Sequence, residues 1–221
     1  MAKPIRPGAF EAHDWIERMI EPLPRGGRIL DLGCGAGEPI GRFLIARGHS
    51  VVGVDHAQSM INLAQTRFPR ERWIKADMRT VQFDEQFDGV IAWNSLTWFT
   101  HADQALMARR AADWLKCGGR LLFNAPPDRD PTRDDYRSGT PYRADLEAAN
   151  YSAAIQAGGL VEMAYVAEDA SCGGAGVWLA RKPEGATFRR KASTGSQLSS
   201  APWGSFTAIN VEAPCTPCLG T

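Results

Sequence analysis

Three glycines within five residues, Gly33, Gly35 and Gly37, follow the run Arg28-Ile29-Leu30-Asp31-Leu32 and precede an amphipathic stretch that opens with Glu38-Pro39. Glycines placed this way let a strand turn at once into a helix, with backbone brought close to whatever lies at the strand's carboxyl end. That demand points to a fold of alternating strands and helices. Proline is expected at the first helical position, where its fixed φ suits the helix and its missing N–H is not needed. The spacing departs from the dinucleotide fingerprint GxGxxG, because the third glycine arrives one residue early and Asp31 stands two positions before the first. Carboxylates at Asp31 and Glu38 would repel a pyrophosphate and tolerate a ligand that carries positive charge.

From residue 28 to residue 182, short apolar runs alternate with amphipathic segments. Strands are expected over 28–32, 50–55, 72–75, 87–93, 120–124, 160–167 and 176–181. Between them, Ile40, Phe43, Leu44 and Arg47 fall at helical spacing, as do Ile61, Ala64 and Phe68, and then Ala105, Ala108, Ala112 and Leu115. The last two strands are too close in sequence for a crossover, so they are expected to form an antiparallel hairpin at the sheet edge. The fold class is therefore α/β: a Rossmann-like, doubly wound sheet of seven mainly parallel strands with a C-terminal antiparallel hairpin. Residues 1–25 read as an N-terminal helical segment and 26–182 as one folded domain. Residues 183–221, rich in Ser, Thr, Gly, Pro and Ala, read as a disordered low-complexity tail. Residues 125–141 hold four prolines and seven charges, which suits a long loop beside the ligand crevice, either a lid or a solvated connection.

The 25 basic and 25 acidic residues cancel, so no global field draws the chain to nucleic acid or to an anionic membrane. MAKPIRPGAF lacks the apolar run of a signal peptide, and no stretch of about 18 apolar residues occurs that could span a bilayer. The expectation is a cytoplasmic protein with no nucleic-acid and no membrane partner. Five cysteines, an odd number spread over separate segments, suit reduced thiols. Cys215-Thr216-Pro217-Cys218 is a lone pair, whereas tetrahedral zinc takes about four ligands, so no metal site is expected. Nothing in the sequence sets an oligomeric state.

Two further strand ends carry carboxylates. Val51-Val52-Gly53-Val54-Asp55 presents Asp55, which can accept from both hydroxyls of a ribose, with His56 beside it. Trp73-Ile74-Lys75 runs into Ala76-Asp77-Met78, where Asp77 could accept from a base amino group and Met78 could pack on the ring. The fourth strand leads into Asn94-Ser95-Leu96-Thr97-Trp98-Phe99, in which the aromatic residues suit packing as well as substrate contact. Tyr142 could donate to a substrate oxygen or serve a structural role. His13 and His101 read as surface residues.

Taken together, RILDLGCGAGEPIGRFL, VVGVDHAQSMINLAQTRFP, WIKADMRT, FDGVIAWNSLTWF and VWLARK resemble a bacterial branch of the small-molecule class I methyltransferases that use S-adenosylmethionine (SAM). The resemblance covers about residues 26–182. It implies SAM as cofactor, with Asp31, Gly33, Cys34, Gly35 and Gly37 around the methionine moiety, Asp55 and His56 at the ribose, Asp77 and Met78 at the adenine, and Asn94 nearby. It also implies methyl transfer to a small-molecule acceptor. The branch has Asp and His where this chain has Asn94 and Trp98, and Leu-Tyr-His-Ala-Ser-Leu where it has Pro141-Tyr142-Arg143-Ala144-Asp145-Leu146. No general base is therefore assigned, and Asn94, Trp98 and Tyr142 stand as the catalytic candidates. The rival readings are a SAM-binding relative without transfer activity and an NAD(P)-dependent oxidoreductase, the latter disfavoured by the glycine spacing.

Overall fold

A computed structural model describes residues 11–96, 99–125 and 148–185. Five strands, β1 (Arg28–Leu32), β2 (Ser50–Asp55), β3 (Arg72–Lys75), β4 (Phe87–Ala92) and β5 (Leu115–Ala125), pair in parallel. Beyond β5 lies β7 (Ala175–Arg181), antiparallel to it, and β6 (Val161–Asp169) pairs antiparallel with β7 at the edge. The spatial order is β3-β2-β1-β4-β5-β7-β6. It reverses between β1 and β4, which opens a crevice at their carboxyl ends. All seven expected strands are present.

Side chains alternate across the sheet and build a core on each face. Leu30, Val52, Val54, Leu121 and Phe123 join Met107, Ala111, Tyr151 and Ile155 from α4 (His101–Trp114) and α5 (Ala148–Ala157). On the other face, Ile29, Val51, Ile91 and Leu122 join α1 (His13–Ile20), α2 (Ile40–Ala46) and α3 (Gln58–Arg67) through Trp15, Met19, Leu44, Ile61 and Ala64. Helices on both faces make the sheet doubly wound.

Several boundaries differ from the expectation. β4 ends at Ala92, one residue early, because Asn94 takes φ 53° and leaves the strand. β5 begins at Leu115 directly after α4, held there by Gln86, whose Nε2 donates to the Leu115 carbonyl at 2.9 Å. Pro39 caps α2 instead of occupying its first turn, and its bond to Glu38 is cis. Arg42 N–H donates back to Gly37, so the i to i−4 ladder starts only with Phe43 to Pro39. Helix α5 was not expected, because Ala149-Asn150-Tyr151-Ser152-Ala153-Ala154-Ile155 carries no charged face to make its period stand out.

Trp178 ties the C-terminal hairpin to this frame. Its ring stacks on Phe123 of β5 with centroids 5.1 Å apart and on Tyr165 of β6 at 4.6 Å, and Tyr151 of α5 leans against it at 4.8 Å. Replacing so large a buried ring by a methyl leaves a cavity that three elements border. Trp178→Ala should lower the unfolding free energy by about 3–5 kcal/mol in urea titrations, and a loss under 1 kcal/mol would refute this anchoring role.

Candidate cofactor-binding site

The glycine turn leaves β1 with Gly33 at φ 78° and Gly35 at φ 53°. A Cβ on Gly33 would stand 2.5 Å from the Cβ of Ser95, so packing and backbone both demand glycine there. At Gly35 such an atom would meet nothing within 4 Å, so the backbone there is open to close approach. Gly37 behaves differently: its missing Cβ makes room for Phe68 and Trp73 at 3.0 Å, and the residue lines neither cavity described below.

Backbone amides pin the turn to the end of β2. Gly33 N–H and Cys34 N–H both donate to the Val54 carbonyl, at 2.8 and 3.1 Å. Asp55 takes Gly35 N–H on Oδ2 at 2.9 Å and Ala57 N–H on Oδ1 at 2.8 Å. Each carboxylate oxygen is thus anchored by one amide and retains a lone pair for another donor. His56 beside it is fully exposed.

Two cavities meet at this turn. One, of about 370 Å³, is bounded by Asp31, Cys34, Gly35, Glu38 and Trp93. The other, of about 470 Å³, is bounded by Asp55, His56, Asp77, Met78, Ser95 and Phe99. Gly33 and Asn94 line both. Of the residues expected to bind cofactor, all except Gly37 therefore border this paired space.

Asp31 is buried to 2% exposure in the middle of the sheet, and its Oδ2 has no hydrogen-bond partner. Desolvation, with a smaller push from the Asp55 charge, raises its pKa to about 7. The Cys34 thiol is pushed upward by burial and then by the same two carboxylates, which makes it a packing group and not a nucleophile.

Asp77 is engaged more heavily than its position in the sequence suggested. Arg79 grips both its oxygens, with Nη2 2.7 Å from Oδ2, and its backbone N–H adds a bond to Oδ1 at 2.8 Å. This clamp holds the Asp77 carboxyl below the usual carboxylate range. Arg79 also reaches Asp103 at 3.2 Å and lies over the Phe99 ring. Arg79, a lone arginine, carries no local signal in the sequence, and Phe99 stands there only among aromatic residues that suit packing as well as substrate contact. Asn124 does carry a signal, as the polar residue in the apolar run Leu121-Leu122-Phe123-Asn124-Ala125.

Trp98 and Tyr142 lie outside the described residues, as do the loop expected over 125–141 beyond Ala125, the tail beyond Gly185, and Cys215 and Cys218. Within the described residues no disulfide joins Cys34, Cys117 or Cys172, and no three His, Cys, Asp or Glu side chains gather as metal ligands. No helix there is long and apolar enough to cross a membrane.

Residues 29–119 match the family model of a methyltransferase domain. That stretch, from β1 into β5, is similar to methyltransferase domains. The YqeM protein of Bacillus subtilis (strain 168) is 38% identical over 116 residues, which are 50% of this chain and 47% of that protein. Trans-aconitate 2-methyltransferase of Variovorax paradoxus (strain S110) is 33% identical over 49% of this chain and 42% of its own length. The chain thus spans about half the length of the curated relatives it matches. In fold, this chain resembles SAM-bound CalS10, an amino pentose methyltransferase from Micromonospora echinaspora, with TM-score 0.62 and 23% identity over 78% of this chain and 90% of that one.

The ionisation of Asp31 sets a test of the buried site. Below pH about 4 the carboxyl is neutral folded or unfolded and carries no penalty. As pH rises toward 7 the unfolded chain loses this proton while the folded chain keeps it, and folding stability falls by about 4 kcal/mol. Asp31→Asn should therefore match the wild type in urea titrations at pH 4 and exceed it by a few kcal/mol at pH 8. An equal difference at both pH values would refute the assignment.

Proposed function

We propose that this protein transfers the methyl group of SAM to a small-molecule nucleophile in the cytoplasm, with residues 26–182 acting as the catalytic domain. Bound SAM would supply a methyl on a positively charged sulfonium: an in-line nucleophile would bond to the methyl carbon as the C–S bond breaks, its electron pair leaving with S-adenosylhomocysteine. The carrying observation is the unpartnered Oδ2 of Asp31, a buried acceptor that borders the smaller cavity and has no donor of its own. A cationic amino-acid moiety is the complement of such a group, and the open face of Gly35 gives it room.

The remaining roles follow from position. Asp55, anchored by two amides, keeps one lone pair on each oxygen for the ribose hydroxyls. Asp77, immobilised by Arg79, edges the larger cavity where Met78 and Phe99 offer apolar surface to adenine. Asn94, shared by both cavities, stands where the two halves of the ligand would join. Positioning alone can supply about 7–11 kcal/mol toward a bimolecular transfer, so this reading requires no dedicated general base.

A second reading keeps SAM binding and gives up methyl transfer. The same fold, at TM-score 0.63 and 19% identity, covers 80% of the [4+2]-cyclase SpnF, so architecture does not dictate the reaction.

Calorimetry tests the SAM binding that both readings require, and a screen of small-molecule acceptors for methyl transfer separates the two. SAM and S-adenosylhomocysteine should bind, whereas NADH and NADPH should not; binding of the nicotinamides without SAM would sink the proposal. Asp55→Ala should weaken SAM binding at least tenfold, about 1.4 kcal/mol or more, without unfolding the protein. Unchanged affinity would remove Asp55 from the ribose role.

A further inference from the structure

Asn124 is a polar side chain at 2% exposure near the end of β5, beside the junction of the two cavities. It makes a closed pair with Asn94. The Asn94 backbone N–H donates to Asn124 Oδ1 at 2.6 Å, and Asn124 Nδ2 donates to Asn94 Oδ1 at 2.7 Å. The first bond decides the orientation of both amides, because a backbone N–H must meet an oxygen. Asn124 thereby turns its nitrogen to Asn94, and Asn94 in turn must present its own oxygen to Asn124.

Asn94 also holds a left-handed backbone conformation that most side-chain-bearing residues avoid and asparagine tolerates best, with φ 53°. Such a conformation persists where its surroundings over-determine it. Two bonds with Asn124 contribute to this, and they grip the main chain and the side chain of the same residue. Asn94 and Gly33 are the residues that line both cavities, so the shape of their meeting point depends on this grip.

We infer that Asn124 is a positioning residue, which acts through Asn94 to set the wall shared by the two cavities and so the fit of the ligand that spans them. The inference rests on the SAM reading above. Asn124 lines neither cavity; its influence is exerted only through the residue it holds.

The probe is S-adenosylhomocysteine, titrated by calorimetry into the full chain. If the wild type does not bind it, the functional proposal fails before Asn124 is at issue. If the wild type binds, Asn124→Leu, which removes both bonds at similar volume, should weaken binding about tenfold. The same substitution in an Asn94→Gly background should weaken it less than threefold, since glycine adopts this φ without help and offers no side-chain acceptor. Equal affinity of wild type and N124L overturns the inference. So does an equal loss in both backgrounds, which marks a general structural effect not routed through Asn94. Should N124L fail to fold, Asn124→Asp replaces it. A carboxylate there still accepts from the Asn94 N–H but forces the Asn94 amide to turn its nitrogen inward, so weakened binding supports the inference and unchanged binding overturns it.

Discussion

The Val54 carbonyl at the end of β2 accepts from two successive amides, Gly33 and Cys34, while the next side chain, Asp55, accepts from Gly35. Three residues of the glycine turn are thus tied to two residues of the neighbouring strand. Parallel pairing of β1 with β2, in the register Leu32 to Val54, brings these groups together. A turn built this way is held in shape by the protein's own acceptors, and preorganisation of that kind lowers the cost of recognition. Gly53 carries part of the load as well: its missing Cβ admits Trp73 and Cys34, which close the space beneath the turn.

The same closeness has an electrostatic consequence. Asp31 and Asp55 sit on adjacent central strands, and the turn between them shuts water away from Asp31. A carboxylate in that position costs the ligand-free protein stability near neutral pH, and no side chain nearby offsets it. Violations of this kind at a strand end beside a cavity mark places where function opposes folding. Arg79 shows the contrary arrangement, since it neutralises Asp77 within the protein itself.

The sheet, its two faces and its terminal hairpin could be read in the sequence because β-branched and apolar runs such as Val51-Val52-Gly53-Val54 have few other ways to be buried. Asp31, Asp55 and the glycines were legible because each sits at a fixed offset from a strand end. Helix α5 and the Arg79 clamp were not, for different reasons. The helix lacks a polar face, and the clamp joins Asp77 to Asp103 across 26 positions in sequence, a relation that only the packing of α4 creates. Gly37 was legible as glycine but not in purpose: spacing suggested ligand contact, whereas Phe68 and Trp73 occupy its open side.

Hydrogen-bond supply explains why a turn so like a dinucleotide loop suits a different ligand. A phosphate is held by main-chain amides that point at it with no other acceptor to serve. In this turn the amides of Gly33, Cys34, Gly35 and Gly37 are all committed to acceptors within the protein. What remains is the reverse of an anion nest: a buried carboxylate oxygen without a donor at Asp31, and oxygens on Asp55 with lone pairs to spare. A ligand that brings donors and positive charge relieves both, whereas a pyrophosphate would bring only further acceptors and negative charge. The one-residue shortening of the glycine motif therefore goes with a redistribution of amides, and that redistribution, more than glycine content, separates the two ligand classes.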